Sequence, residues 1–143
     1  LMHMRGEPAD MAQHAHYGHV LQDVRDELAQ RLAAARAAGI ASERIVLDPG
    51  YGFAKTAGHN LQLLSQQQGL LALGRPLLVG WSRKGTLGQI TGRPVGERLA
   101  ASLAAALAAV ARGAAIVRVH NVAATVDALK VWRAAEQGRL DPA

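Results

Sequence analysis

Four short apolar runs alternate with four helical patterns along the 143 residues of the chain, and this alternation constrains the fold more than any other feature. The predicted strands are residues 1–4, 44–47, 76–79 and 115–119. The predicted helices are residues 19–35, 60–71, 95–111 and 122–136. Strands that alternate with helices favour parallel pairing with right-handed crossovers. The interiors of the last three runs, IVL, LLV and AIV, are continuously apolar, which is typical of strands covered on both faces.

Side chains within the helical patterns give further expectations. In the first helix the apolar residues recur every three or four positions. Asn60 is the expected N-cap of the second helix, and Asn121 could cap the fourth. One side of the third helix is expected to carry Leu99, Leu103, Leu107 and Val110.

The number of units defines the fold class. The 143 residues give about 36 residues for each of the four units. A complete TIM (β/α)8 barrel needs eight such units and roughly 250 residues. We therefore predict an α/β fold with four parallel strand-helix units, which is half of a barrel. A small doubly wound sheet is the alternative that periodicity leaves open. The chain opens on an apolar run without an initial Met, so we expect further residues before Leu1.

Composition excludes several classes of protein. The net charge is +5, but the arginines are scattered and only 3% of residues are aromatic, which disfavours nucleic-acid binding. The absence of Cys excludes disulfides and Cys-based metal sites. No uninterrupted apolar run approaches the length of about 18 residues that a membrane span needs. We expect a cytoplasmic protein that binds small anionic ligands.

Polar, Gly-rich residues follow each predicted strand, at the end where parallel α/β folds place their ligands. The four segments begin with His3, Asp48, Gly80 and Arg118. Asp48 could accept two parallel N–H bonds from a planar amino-pyrimidinone edge, or simply form an Asp-Pro-Gly turn. Arg118 and His120 are two apart on a strand and should face the same side. They could bind a phosphate, or Arg118 could form a buried salt bridge with Asp48.

Four strings occur in an order that resembles dihydropteroate synthase. They are LMHMRG, RIVLDPGYGFAKT, GWSRKGTLGQ and AAIVRVHN, and the resemblance covers nearly the whole chain. It implies that residues 1–143 are the C-terminal half of a pterin-binding barrel whose N-terminal half is absent. The implied activity condenses 6-hydroxymethyl-7,8-dihydropterin diphosphate with p-aminobenzoate, which gives 7,8-dihydropteroate and diphosphate.

The resemblance also implies roles for individual residues. Asp48 would hold the amino-pyrimidine edge of the pterin, and Lys84 would contact the pterin and the aminobenzoate side. Arg118 and His120 would bind the diphosphate, so that Lys84, Arg118 and His120 are the expected catalytic residues. The remaining substrate-binding residues would be Ser82 and Phe53 near aminobenzoate, with Gly80 and Met2 or Met4 as walls of the pterin pocket.

Cofactors and partners follow from the same resemblance. Mg²⁺ would be bound mainly by the absent half and the substrate diphosphate, with no metal ligand in this chain. Sulfonamides would compete with p-aminobenzoate. Two other interpretations are a pterin-binding methyltransferase and a non-catalytic half-barrel that pairs with itself or a partner chain. The isolated chain is expected to be inactive and to form a homodimer or larger species, since a half-barrel exposes sheet edges.

Overall fold

A computed structural model describes residues 1–139 of the chain. The helices are α1 (Val20–Ala37), α2 (Ala57–Ser65), α3 (Gly85–Thr91), α4 (Leu99–Val110) and α5 (Val122–Gln137). The strands are β1 (Leu77–Val79) and β2 (Ala114–Val117). Short 3₁₀ turns occupy Met11–His14, Ser42–Arg44, Gln67–Leu73 and Val95–Glu97. No helix within the described residues is long and apolar enough to cross a membrane.

Four extended segments pair side by side, all parallel and in sequence order. The first segment lies around Met2, the second contains Leu47 and Asp48, and the last two are β1 and β2. Met2 pairs with Asp48, Leu47 pairs with Leu77, and β1 pairs with β2. The parallel direction of these pairings agrees with the prediction, but within the described residues only β1 and β2 are strands, so the prediction of four strands is not met in full. The predicted lengths of the first two strands are wrong, because each is joined to its neighbour by isolated bridges only. Arg44 belongs to a 3₁₀ turn, so it cannot extend the second segment.

The two faces of this sheet differ in their surroundings. Ile45, Leu47 and Leu77 lie on one face, are at most 4% exposed, and form the core with the apolar side of α1. Side chains alternate between faces along a strand. On the other face Leu78 is partly exposed and Ile116 is 43% exposed. The helices in the described part of the chain thus cover one face of the sheet, although the apolar runs predict cover on both.

Helix α4 is shorter than predicted, and small residues form its buried side. Residues 95–97 form a separate 3₁₀ turn, and α4 begins at Leu99. Its buried residues are Ser102, Ala105, Ala106 and Ala109. The side predicted to carry the leucines is only partly buried, and Leu99 is 42% exposed. Small side chains let α4 approach β2 and α5 closely, which excludes the larger leucines from that side.

The start of α2 also corrects a prediction. Thr56, not Asn60, is the N-cap, and its side chain accepts a hydrogen bond from the His59 backbone in a capping box. Asn60 lies one turn later and is only 2% exposed. Its side chain accepts from the Gly52 N–H at 2.9 Å and donates to Thr86 Oγ1 at 3.2 Å. Asn60 therefore joins the Gly52 loop to the first turn of α3 inside the core instead of capping α2.

Gln67 is a second buried amide that joins distant parts of the chain. Its Oε1 accepts a hydrogen bond from the Tyr51 hydroxyl at 3.0 Å. Its Nε2 donates to the carbonyls of Ala109 and Arg112 at 2.9 and 3.0 Å. Gln67 is completely buried, and these three bonds satisfy most of its hydrogen-bonding capacity. It ties the loop after the second segment to the end of α4.

The first segment is held to α1 by polar contacts. Glu27 Oε2 lies 3.0 Å from Nε2 of the fully buried His3, and Glu27 Oε1 accepts from the Arg5 guanidinium. Arg31 donates to the backbone carbonyls of Met2 and Met4. Burial, and then the nearby Lys55 charge, lower the pKa of His3 to about 4. The imidazole is therefore neutral in the folded protein at neutral pH.

We predict that Gln67→Leu lowers the free energy of unfolding by roughly 2–4 kcal/mol. The substitution removes two hydrogen bonds to carbonyls and leaves the Tyr51 hydroxyl without its partner in the core. Urea denaturation measures the change. Gln68→Leu at the adjacent exposed position is the matched control and should change it by less than about 0.5 kcal/mol. Equal effects of the two substitutions would contradict the role of Gln67.

A second prediction concerns acid stability. The folded-state pKa of His3 is about 4 and its ordinary value is 6.5, so the unfolded chain binds more protons between these pH values. The stabilisation is complete above pH 6.5 and is lost as pH falls towards 4, by roughly 3 kcal/mol in total. Urea titrations across this pH range measure the free energy of unfolding. Compared with the native chain, this free energy should decline less steeply in His3→Gln and equally steeply in His19→Gln, whose side chain is exposed in the native chain. An unaltered decline in His3→Gln would contradict this assignment.

Candidate active site

Two adjoining clefts lie at the carboxyl ends of the four segments. The sheet cleft, about 460 Å³, opens over the uncovered face of the sheet and is lined by Leu1, Met2, Val46, Asp48, Phe53, Leu78 and Arg118. The loop cleft, about 490 Å³, is lined by Gly80, Ser82, Arg83, Lys84, Val95, Arg118, Val119 and His120. Arg118 lines both clefts, so they meet at its side chain. The structure therefore brings most of the predicted site residues together.

Asp48 is fixed by the backbone pairing of the first two segments. Its N–H donates to the Leu1 carbonyl at 2.8 Å, and its carbonyl accepts from the His3 N–H at 2.8 Å. Its side-chain Oδ1 accepts from the Gly50 N–H at 2.8 Å. Asp48 therefore forms the Asp-Pro-Gly turn and also lines the sheet cleft. Gly50 has φ +69°, and a Cβ there would collide with the His3 carbonyl, so this turn requires glycine.

Lys84 lies against Phe53. Its Nζ is 4.3 Å from the centre of the Phe53 ring, which is a cation–π distance. A Cβ on Gly52 would lie 3.2 Å from Cδ of Lys84, so the bare backbone of that loop leaves room for the lysine stem. Burial, and then the Arg118 charge, lower the pKa of Lys84, while Asp48 opposes this shift. Lys84 therefore shares one electrostatic environment with Arg118 and Asp48.

Arg118 extends over the backbone of Gly80. A Cβ on Gly80 would lie 3.0 Å from its Nη2, which explains why a residue without a side chain occupies this position. The side chain of Arg118 is exposed, and it forms no salt bridge with any residue in the described range 1–139. The alternative of a buried salt bridge with Asp48 is therefore wrong. The guanidinium is available to an anion entering from solvent.

Ser82 orients His120. Its Oγ lies 2.9 Å from His120 Nδ1 and 3.3 Å from the His120 backbone nitrogen. Ser82 is only 8% exposed, whereas His120 is exposed. With Nδ1 engaged by the hydroxyl, Nε2 is the ring nitrogen available to a ligand. The contact between these two predicted residues was not anticipated from the sequence.

The loop that carries Ser82 and Lys84 is supported from α4 and its N-terminal side. Arg83 has φ +59°, and its N–H donates to Ser102 Oγ at 3.0 Å. Arg98 donates to the Arg83 carbonyl at 3.1 Å. The Arg83 guanidinium donates to Asn121 Oδ1 at 3.1 Å. Asn121 is the N-cap residue of α5, as predicted, but its side chain makes no capping bond there.

The remaining predictions are placed as follows. Met2 lines the sheet cleft and Met4 does not, although its carbonyl accepts a hydrogen bond from Arg31. Sequence reasoning assigned no role to Lys55, which lies between the Asp48 turn and the buried His3. Its place in the same string as Asp48 and Phe53 was the signal that could have drawn attention to it.

The described residues offer limited ligands for a metal. Among residues 1–139 there is no group of three or more His, Cys, Asp or Glu side chains positioned around one point. Asp48 is the carboxylate that lines the sheet cleft, and the residues that line the loop cleft include no carboxylate. One carboxylate does not make an octahedral Mg²⁺ site, and other oxygen ligands would have to come from elsewhere.

Known proteins resemble this chain over most of its length. The family model described as pterin binding enzyme matches residues 1–120. A dihydropteroate synthase of Neisseria meningitidis serogroup B is 52% identical over 138 residues, which cover 94% of this chain and 48% of that protein. The chain spans about half the length of the curated relatives it matches.

Solved structures give the same result for the fold. Dihydropteroate synthase from Stenotrophomonas maltophilia, with imidazole bound in its active site, superposes with a TM-score of 0.92 at 55% identity, covering 95% of this chain and 52% of that one. The enzyme from Xanthomonas albilineans, solved in complex with 7,8-dihydropteroate, gives 0.88 at 47% identity, covering 95% and 49%. The α/β fold is therefore part of the dihydropteroate synthase barrel, not a separate doubly wound sheet. On its sequence and its fold, the chain belongs to the pterin-binding enzyme family.

Proposed function

We propose that this chain is the C-terminal half of a dihydropteroate synthase and supplies four strand-helix units of its barrel. The proposed reaction condenses 6-hydroxymethyl-7,8-dihydropterin diphosphate with p-aminobenzoate. The observation that carries this proposal is the convergence of Asp48, Lys84 and Arg118 around two adjoining clefts. Similarity to the Xanthomonas albilineans enzyme, which was solved with the reaction product, supports the choice of substrates.

Asp48 and the sheet cleft suit the pterin ring. One carboxylate oxygen is engaged by the Gly50 N–H, and the charge remains available to the N–H groups of an amino-pyrimidinone edge. Met2 and Leu78 provide apolar surface for a flat ring. The pterin would lie on the uncovered face of the sheet, with its substituent directed towards Arg118.

Arg118 and His120 suit the diphosphate. In the reaction the aromatic amine attacks the methylene carbon of the pterin, a C–N bond forms, and the C–O bond to diphosphate breaks. The amine loses a proton, and the departing diphosphate takes the bonding electron pair. Donors placed around the leaving oxygens lower this barrier. Arg118 offers a fork of N–H groups, and Ser82 leaves His120 Nε2 available as a second donor.

Lys84 and Phe53 suit the aminobenzoate side. The ammonium of Lys84 would face the carboxylate-bearing substrate or the pterin carbonyl, and the Phe53 ring would cover the aromatic amine. Much of the rate enhancement would come from holding the two substrates in contact. Sulfonamides, which resemble p-aminobenzoate in shape, would compete at this place.

Mg²⁺ would reach this site mainly as an ion bound to the diphosphate of the substrate. The described residues do not form a metal site by themselves, so no step is assigned to the ion. We propose that the diphosphate and the other half of the barrel bind it.

The edges and one face of the sheet are open to a partner chain. The first segment and β2 have no further strand beside them within residues 1–139, and the sheet face with Ile116 is uncovered. Unpaired edges and an apolar face favour association. The other half of the barrel would cover both, and in its absence a second copy of the chain would do so less completely.

We predict that the chain alone forms dimers or larger species and gives no dihydropteroate. A chimera in which the first half of the Neisseria meningitidis relative precedes Leu1 should be active. Sedimentation and a product assay measure the two properties. An active monomer of the chain alone would refute the need for a second half, and an inactive but folded chimera would refute the proposed function. The latter outcome would favour a non-catalytic half-barrel.

Within the active chimera, Arg118→Ala and Asp48→Asn should have different effects on ligand affinity. Loss of Arg118 should weaken binding of the pterin diphosphate about ten- to a hundredfold and leave the dephosphorylated pterin nearly unaffected. Loss of the Asp48 charge should weaken both ligands by similar factors, because both carry the ring edge. Calorimetric titration measures these affinities.

Exposed residues of α5 provide matched controls. Arg133→Ala and Asp127→Asn remove the same groups far from the clefts and should leave both affinities unchanged. If Arg118→Ala weakened both pterins equally, Arg118 would be assigned to structure and not to the diphosphate.

A further inference from the structure

The ammonium of Lys55 lies inside the loop that follows Asp48. Its Nζ is 2.9 Å from His3 Nδ1, 3.1 Å from the Gly50 carbonyl and 3.1 Å from the Phe53 carbonyl. A lysine ammonium has three N–H donors, so these three contacts use all of them. Two of the acceptors belong to the loop itself, and the third belongs to the neighbouring segment.

His3 connects this loop to helix α1. An ammonium can only donate, so with Lys55 charged the neutral imidazole accepts at Nδ1 and carries its proton on Nε2, which faces Glu27 Oε2 at 3.0 Å. The series Glu27, His3, Lys55 therefore joins α1 to the loop backbone. Burial lowers the pKa of Lys55 to about 7, and the carboxylates of Asp48 and Glu27 oppose that shift.

The loop needs such support at Phe53. The next residue, Ala54, has φ +48°, which is unfavourable for a residue with a Cβ. The Phe53 N–H donates to the Gly50 carbonyl at 3.0 Å, and that carbonyl is one of the two that Lys55 binds. By contrast, Asp48 is held by backbone bonds on both sides of its strand segment. Removing Lys55 should therefore displace Phe53 and leave Asp48 in place.

We propose that Lys55 is a positioning residue, which holds residues 50–55 so that the Phe53 ring stands against Lys84 on the aminobenzoate side of the site. This inference rests on the proposed function for the identity of the substrate. Lys55 lines neither the sheet cleft nor the loop cleft and acts through the backbone of the loop. The Glu27–His3 pair fixes the direction of the Lys55 ammonium.

The first test uses Lys55→Met in the chimera, which keeps the apolar stem and removes the ammonium. The KM for p-aminobenzoate should rise about tenfold, and the KM for pterin diphosphate should change less than about twofold. Lys130→Met, at an exposed position of α5, is the matched control and should change neither. Equal rises in both KM values, or no rise in either, would overturn the proposal, because a merely destabilised fold would not separate the two substrates.

A second measurement does not depend on activity. In hydrogen–deuterium exchange without ligands, the amides of Gly50, Gly52 and Phe53 should exchange about tenfold faster in Lys55→Met, while amides in α5 keep their protection. Unchanged protection of the loop would overturn the positioning role. An inactive native chimera would refute the proposed function, and this result would still decide the role of Lys55.

A third measurement needs no substitution. Nitrogen-15 NMR of the native protein at about pH 5.5, where Lys55 is charged and His3 is neutral, should show His3 with its proton on Nε2 and a bare Nδ1. A proton on Nδ1 would mean that Lys55 does not donate to it, and the proposal would fail. This result is decisive even if Lys55→Met does not fold.

Discussion

Parallel backbone pairing in sequence order is the constraint on which the rest of this structure depends. The Asp48 N–H donates to Leu1, and the Arg118 N–H donates to Val79, so two charged residues of the site are themselves the last members of the ladder. A backbone hydrogen bond fixes the position of each residue, whatever contacts its side chain makes. The clefts therefore arise from where the pairing ends, and the loops only complete their walls.

Much of the fold could be predicted from the sequence. Helices α1 and α5 begin at their predicted positions or within one residue of them and end one or two residues later than predicted, because long amphipathic patterns define a helix well. Asp48 and Arg118 were found because each follows an apolar run in an α/β alternation. The sequence did not indicate which side of α4 is buried, because the helix is apolar nearly all round and its buried residues are small ones.

The buried polar residues that hold the site in place were harder to predict than its charged residues. His3, Asn60 and Gln67 are polar residues, and such residues are rarely fully buried in proteins. Here each of the three is at most 2% exposed. Their partners are up to 52 positions away along the chain, as in the contact between His3 and Lys55. No local pattern encodes such a pair. These residues became visible only when the folded chain placed a donor opposite an acceptor that would otherwise be unsatisfied.

The alanine-rich side of α4 has a consequence for how this sequence can change over evolutionary time. Ala105 and Ala109 are 7% and 0% exposed, where α4 packs closely against the rest of the fold. At such a contact hydrophobicity is not the limiting property, since valine or leucine would be apolar too. Volume sets the limit, because each added methylene pushes the helix away from its neighbours. Sequence drift along this side should therefore be confined to glycine, alanine and serine.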